Sequence, residues 1–400
     1  MDTEAPQELL GGLSARQFMQ RHWQQQPLLV RQAWPGVQAP LTRAQAFDAA
    51  GNEDIESRLV VRPQPARHAA SAATGWRLRR GPLPRRALPA ARTPGWTLLL
   101  QGLDLHVKAA HDMLQRFRFV PDALLDDVML SWASVGGGVG PHTDAYDVFL
   151  LQVQGQRRWR VGPVPKPQWV QHAPLKRLRN FKPTMEWLLQ PGDMLYLPPQ
   201  WGHDGVAEGG ECMTCSIGFR APAADELAQD LMQLLAEEET EPTTAGLSLY
   251  RHPPQDTTAT PAAVPAQLLN FAQAAIQQRL SQPLALSRAL GIWATEPKPQ
   301  VWFHPGAARA APCAVVLHER SRMMYDDAHI YINGEAFVAS GRDAQLMRTL
   351  ANQRRLGERE VARLGAQARA LLQDWALAGW VLASPAQPAA AAAPVKKSAR

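Results

Sequence analysis

The sequence predicts an α+β protein built on a many-stranded antiparallel β-sandwich or barrel, with helical segments before and after it. Three observations carry this. Between about residues 95 and 220, short apolar runs rich in Val, Leu, Phe and Trp are separated by Gly and Pro, the pattern of short strands and tight turns. After Phe219 the period changes, with Leu227, Leu231, Leu234 and Leu235 recurring at helical spacing. Further on, Asp327 to Val338 reads as a hairpin closed by Asn-Gly, followed by helical stretches. A chain of 400 residues accommodates two or three domains. Its 46% hydrophobic and 20% charged content supplies a real core.

In order along the chain, residues 1 to about 60 read as helices and loops, with Ser14 placed to cap a helix. Arg77 to Arg92 carries six arginines interrupted by prolines and reads as an exposed loop. Within the β region, a strand from Tyr146 to Val153 is followed by Gln154-Gly155-Gln156 and then Arg157 to Val161. Glu211 to Phe219 reads as another strand. Cys212 and Cys215, three apart on it, point to opposite faces and form neither a metal pair nor a redox pair. An acidic run from Glu237 to Glu241 and a Thr/Pro-rich linker over about 242 to 265 follow the first helix. A second amphipathic helix places Leu268, Phe271, Ala272, Ala275 and Ile276 on one face. The two apolar stripes suit packing on each other, on the sandwich or on a second copy of the chain. The last ordered segment contains the hairpin, a helix over Arg342 to Arg355, and a helix marked by Val361, Leu364, Ala368, Leu371 and Trp375, an order that suggests a winged-helix-like unit. The expected division is 1–220, 221–298 and 299–385, with an Ala/Pro-rich disordered tail over 386–400.

Several classes are excluded on composition. Three cysteines, an odd number, do not make a disulfide framework. Apolar runs such as Trp96 to Leu100 and Val148 to Leu151 fall far short of the ~20 residues of a membrane span. The acidic N-terminus has no signal-peptide core, so a cytoplasmic location is expected. A net charge of +6 is compatible with nucleic-acid contact without specifying it.

Chemistry concentrates in Gly136 to Leu150. Here a glycine-rich approach leads to His142 and Asp144, two apart, which share a face if the segment is extended. A third candidate, His203, ends the run that begins at Gly192-Asp193 and passes through Pro198-Pro199. Two histidines and a carboxylate form a facial triad that leaves coordination positions open for a bidentate cosubstrate and dioxygen, and the donor set suits Fe(II) better than zinc. An isolated His-x-Asp carries little weight; the glycine approach, the following apolar strand and the His203 run lift this one. His22, His106, His111 and His172 read as structural or solvated.

Alternation from Arg157 to Val161 puts Arg157 on the buried face with Trp159 and Val161. A buried guanidinium is costly without a carboxylate, and Arg takes one in a bidentate fork. The distal carboxylate of 2-oxoglutarate answers this demand; the other answer is a structural ion pair with an internal Asp or Glu.

At these residues the chain resembles the bacterial ribosomal oxygenases of the JmjC group within the cupin fold. Gly136 to Val161, Gly192 to His203 and Glu56 to Leu59 carry the resemblance, which extends over about residues 10 to 385. It implies a double-stranded β-helix, a helical dimerisation region, hence a homodimer, and a C-terminal winged-helix domain. It also implies arginine 3-hydroxylation of the sixteenth large-subunit ribosomal protein, with His142, Asp144 and His203 as iron ligands, Arg157 on 2-oxoglutarate, and dioxygen consumed. The arginines of 77–92 are more numerous than the resemblance leads one to expect. A cationic target side chain would favour acidic or aromatic neighbours. Tyr146 is the first candidate, with Asp147, Asp126, Asp127 and Asp204 near the triad in sequence. The competing readings are a histidyl hydroxylase of another ribosomal protein, a histone-type demethylase, and a winged-helix nucleic-acid binder without catalysis, supported by Arg342, Arg348, Arg354 and Arg355.

Overall fold

Ser14 does open a helix. Its hydroxyl accepts the Gln17 N–H while the Gln17 side chain accepts from the Ser14 N–H, a reciprocal cap that satisfies two orphan donors. The computed structural model describes residues 2–63, 75–237, 249–250, 260–306 and 313–383. Most of the Thr/Pro-rich linker, the acidic run beyond Glu237 and the tail lie outside the described residues. The chain divides into two compact units, Met1–Ala221 and Pro222–Arg400.

The first unit runs α1 (Ala15–Arg21), β1 (Leu28–Val30), α2 (Arg43–Ala49), β2 (Ser57–Val61), β3 (Arg77–Arg80), β4 (Trp96–Leu100), α3 (Lys108–Gln115), β5 (Leu125–Ala133), β6 (Val148–Pro163), β7 (Met185–Leu189), β8 (Met194–Leu197) and β9 (Trp201–Phe219). The strands form one antiparallel sheet in the order β1-β8-β6-β9-β5-β4-β2-β3, with β7 also paired to β6. β6 and β9 pair twice, Val148 to Gln152 with Gly218 to Thr214, and Gln156 to Pro163 with Glu208 to Trp201, separated by bulges at Gln152/Gln154 and Gln154/Gln156. Bulges bend and twist a strand. One half of the β6–β9 pair therefore runs between β8 and β5, and the other half, across the bend, runs beside β7. The result is the expected double-stranded β-helix.

Three local expectations are corrected. Gln154-Gly155-Gln156 is a bulge inside β6 and not a break. Gly155 has φ +62° and a Cβ there would lie 2.2 Å from the Glu211 carbonyl, so only glycine lets the strands stay paired. β6 starts at Val148, not Tyr146. The basic segment is not all loop: Arg77–Arg80 is edge strand β3, with Leu78 opposite Val60 and Arg80 opposite Arg58. Charged side chains along an edge guard it from pairing with another chain, and they also hide the strand from a hydrophobicity reading.

Phe18, Phe117, Phe149 and Tyr196, all buried, meet in an aromatic core with centroids about 5 Å apart. Cys212 and Cys215 are free and buried, packed in separate clusters on the two faces of β9. β1 is tied to the β7–β8 turn by Asp193, which accepts from the Gln32 N–H (3.0 Å), the Gln190 N–H (3.1 Å) and Arg31 Nη1 (2.6 Å). Burial pushes this carboxyl up, but the two backbone donors and Arg31 outweigh it and hold it below its ordinary value. A carboxylate depressed in the folded state stabilises above its unfolded pKa, and that contribution is lost as pH falls through the folded value. Asp193→Ala is therefore expected to cost about 2–3 kcal/mol at neutral pH and to lessen the loss of stability below about pH 4, as read from urea melts across pH.

The second unit contains α4 (Ala224–Glu237), α5 (Ala266–Leu280), α6 (Ala285–Thr295), β10 (Val315–Leu317), β11 (Met323–Tyr325), β12 (His329–Ile332), β13 (Glu335–Val338), α7 (Gly341–Gln353), β14 (Arg355–Leu356), α8 (Glu358–Val361), α9 (Ala366–Leu377) and β15 (Val381–Ala383). Its strands make two small sheets, β14-β10-β15 and β11-β12-β13. The Asn333-Gly334 turn has positive φ at both residues (49° and 87°), as a two-residue hairpin requires. The single helix expected from Val361 to Trp375 is two, broken at Gly365, whose N–H donates to Asp343 (3.0 Å). Its apolar positions still face the core, Val361, Leu364, Ala368 and Trp375 being buried. α6 lies against β12 at Gly291, where a Cβ would come within 2.3 Å of the Tyr331 ring. Gly291→Ala is expected to destabilise this unit by about 1–3 kcal/mol through overpacking, seen as an earlier transition in a thermal melt of the whole chain. No described helix is long and apolar enough to cross a membrane.

Candidate metal and cosubstrate site

The segment between β5 and β6 forms no regular strand, although His142 makes an antiparallel bridge with His203. It is a loop laced to β9. Gly136 N–H donates to Ala207 O, Ala207 N–H to Gly137 O, and His142 and His203 exchange both backbone bonds at 3.0 and 2.9 Å. The glycine run makes this possible. A Cβ on Gly137 would lie 2.4 Å from the Trp96 carbonyl oxygen, and one on Gly138 2.3 Å from that of Gly205. Asp144 is held by its own carbonyl, which accepts from the Gln200 N–H (3.0 Å).

These bonds bring His142, Asp144 and His203 together. Their ligand atoms lie within 4.8 Å of one another. His142 Nε2 is 4.0 Å and His203 Nε2 3.5 Å from the Asp144 carboxylate, and the two rings are 4.1 Å apart. His142 Nδ1 faces the Gly140 carbonyl (2.9 Å) and His203 Nδ1 that of Trp201 (3.1 Å). A carbonyl only accepts, so each Nδ1 carries the proton and each Nε2 turns its lone pair to the common centre. Burial, aided by His142 and opposed by Asp144, pushes the His203 imidazole down to about 4, so it is neutral and able to ligate throughout the physiological range.

A cavity of about 310 Å³ opens from this cluster; its wall includes Arg58, Gln101, Met129, Ser131, Arg157 and Lys176. Arg157 is inward and only 5% exposed. Its Nη1 donates to Ser131 Oγ (3.0 Å), while Nε and Nη2 are buried without a partner. Among the described residues no Asp or Glu pairs with it. Tyr146 lines the cavity with 39% of its surface open; burial and then the Asp144 and Asp127 carboxylates hold its phenol well above the ordinary value.

The acidic candidates separate. Asp126 and Asp127 line the cavity, Asp127 accepting from Gln101 Nε2 and the Gly102 N–H. Asp147 and Asp204 do not line it. Asp147 accepts from the Tyr196 hydroxyl and Gln24 within the aromatic core, and Asp204 pairs with Arg160 (2.8 Å). Their partners are distant in sequence, so proximity to His142 or His203 along the chain misleads. The sequence reading missed Ser131, Met129 and Gln101 on the cavity wall. Alternation could have found the first two, since Asp127, Met129 and Ser131 share one face of β5.

A double-stranded β-helix that sets two histidines and an aspartate beside a buried arginine with no carboxylate partner is the architecture of the 2-oxoglutarate-dependent oxygenases. The JmjC domain family matches residues 112–227, and the ROXA-like winged helix matches residues 278–381. The chain is 30% identical over 291 residues to the ribosomal protein uL16 3-hydroxylase of Escherichia coli (strain K12), covering 72% of this chain and 73% of that one. It is 32% identical over 218 residues to a probable ribosomal oxygenase of Haemophilus influenzae, covering 52% and 50%. Among solved structures, E. coli YcfD superposes with a TM-score of 0.78 at 25% identity, covering 92% of this chain and 98% of that one. A further structure of that ribosomal oxygenase, in complex with cobalt and 2-oxoglutarate, gives 0.74 at 25% identity, covering 91% and 96%. The chain belongs to the bacterial ribosomal oxygenase family.

Proposed function

We propose that this chain hydroxylates an arginine side chain of ribosomal protein uL16 at C3, with His142, Asp144 and His203 holding Fe(II) and Arg157 gripping the distal carboxylate of 2-oxoglutarate. The observation that carries the reading is Arg157. A buried guanidinium with two unpartnered nitrogens in the same cavity as the His-Asp-His cluster asks for a dicarboxylate long enough to reach both. Bound iron and 2-oxoglutarate together supply the power to oxidise an unactivated C–H bond with dioxygen. The chain's own residues do the rest. The Gly140 and Trp201 carbonyls fix the imidazole tautomers. Ser131 orients Arg157. Trp159, 5.8 Å from the His203 ring, and Val148 and Leu150 keep water from the inner wall. Asp126, Asp127 and Tyr146 offer a negative and aromatic approach for a cationic target side chain. The uL16 target is supported by the 30% identical relative of that name.

The test is mass spectrometry of uL16 after incubation with the chain, Fe(II), 2-oxoglutarate and oxygen, with His142→Ala as control. One added oxygen on an arginine, absent with the variant, is the expected result. Oxygen added instead to a histidine of another ribosomal protein would move the target and keep the chemistry, while no turnover on any ribosomal protein would overturn the reading. A homodimer is part of the proposal. No residue of α5 is buried, and Leu268, Leu269, Ile276 and Leu280 stand 40–61% exposed along it, an apolar face that suits a second copy. The division into a catalytic region over 1–220, a helical region over 221–298 and a winged-helix unit over 299–385 follows the same reading.

A further inference from the structure

From Ser57 to Leu103 the chain has nine arginines and no Asp or Glu, and from Val148 to Met185 it again has only cations. The two acid-free stretches meet beside the catalytic cavity. Trp76 is the meeting point: Arg177 lies 4.6 Å and Arg62 5.5 Å from its ring centroid. Both side chains pack on the glycine loop that leads to His142, Arg62 through its guanidinium at Gly138 and Arg177 through its aliphatic stem at Gly140. Arg58 and Lys176 line the cavity itself, and Arg80 stands exposed opposite Arg58 in the β2–β3 register.

Elsewhere on this unit Arg16, Arg31, Arg43, Arg158 and Arg160 each pair with a carboxylate. Among the described residues Arg62, Arg80, Lys176 and Arg177 have no such partner. Arg177 Nε and Nη2 are buried with no hydrogen bond, and its guanidinium is destabilised first by burial and then by Arg62. Arg58 has Glu56 at 3.6 Å, but Arg62 and Arg177, gathered from two separate segments with no carboxylate paired to either, are held at a cost that a bound polyanion would relieve. One carboxylate would occupy one fork. A rim of four cations spread over the end of β2, β3 and the β6–β7 segment, Arg62 being the residue that follows β2, suits a ligand with charge repeated along its length. Trp169, partly exposed under Lys176 at 4.5 Å, adds an aromatic face of the kind on which bases stack.

We propose that this rim binds the phosphodiester backbone of RNA, so that the cavity is presented to a ribosomal protein already seated on RNA. The choice of RNA as the polyanion rests on the proposed ribosomal substrate; the rim's charge does not. The experiment is fluorescence anisotropy of the full chain with a short oligouridylate, without iron or 2-oxoglutarate, over a series of salt concentrations. Turnover plays no part, so a failure of the hydroxylase reading leaves the result interpretable. The wild type is expected to bind with a steep salt dependence. The variant carrying Arg62→Gln, Arg80→Gln and Arg177→Gln should bind roughly 10-fold or more weakly, with a log–log salt slope shallower by about 2, near 0.7 per lost phosphate contact. A variant of the second unit carrying Arg342→Gln and Arg355→Gln should match the wild type. If the triple variant does not fold, Arg80→Gln alone, at an exposed edge position, should still flatten the slope by about 0.7. Unchanged binding by a folded rim variant would overturn the proposal. So would tighter binding of the DNA strand of the same sequence, or of polyglutamate, which would assign the rim to an acidic protein partner.

Discussion

His203→Ala is expected to abolish hydroxylation and to weaken ferrous binding by well over 100-fold. Loss of an outer partner of a metal ligand alone costs 10–100-fold, and His203 is the buried member of the cluster. Its backbone stays bonded to His142 on both sides, so the loop remains laced to β9 and the defect falls on the metal and not on the fold. The readout is cobalt titration followed by visible absorption, which needs no turnover. Retained cobalt affinity with unchanged stoichiometry would remove His203 from the ligand set. Asp144→Asn should behave alike, because its carboxylate faces both imidazoles at 3.5 and 4.0 Å.

Arg157→Gln should raise the KM for 2-oxoglutarate about 100-fold, corresponding to about 3 kcal/mol, the loss expected when one member of a buried, hydrogen-bonded charge pair is truncated. Cobalt affinity without cosubstrate should be unchanged. Arg157→Lys should recover part of the loss, since a point charge replaces a fork. The same position predicts an opposite effect on stability. With Nε and Nη2 unpartnered, the guanidinium burdens the ligand-free chain. Arg157→Met should therefore raise its melting temperature while 2-oxoglutarate no longer does so. A ligand-free melting temperature lowered by Arg157→Met would mean that the arginine is a structural element and not a receptor.

The inward arginine was legible in the sequence because alternation within Arg157 to Val161 is local and strict. His142, Asp144 and His203 were legible as a group because the glycine approach and the Gly192 to Pro199 run are chemically unusual, while their convergence comes from backbone bonds to β9 that spacing does not show. What escaped was non-local. β1 is three residues long and exists only because β8 offers it a partner. β3 carries three arginines and is a strand only by its pairing with β2. Asp147 looks like a substrate contact until Tyr196, 49 residues away, takes its carboxylate. Gly365 divides a clean apolar stripe because Asp343, from another helix, caps its N–H.

The paired bulges of β6 have a consequence for how this chain can change over time. They set the phase between the strand's two halves, one facing the aromatic core through Phe149 and Leu151, the other turning Arg157 and Trp159 inward. Side chains alternate with a period of two, so one residue gained or lost between Gln152 and Gln156 would exchange Arg157 for its neighbour and send it to solvent. Surface connections elsewhere tolerate insertion, whereas in this short stretch the number of residues itself decides whether Arg157 faces the cavity, with His142, Asp144 and His203 all left in place.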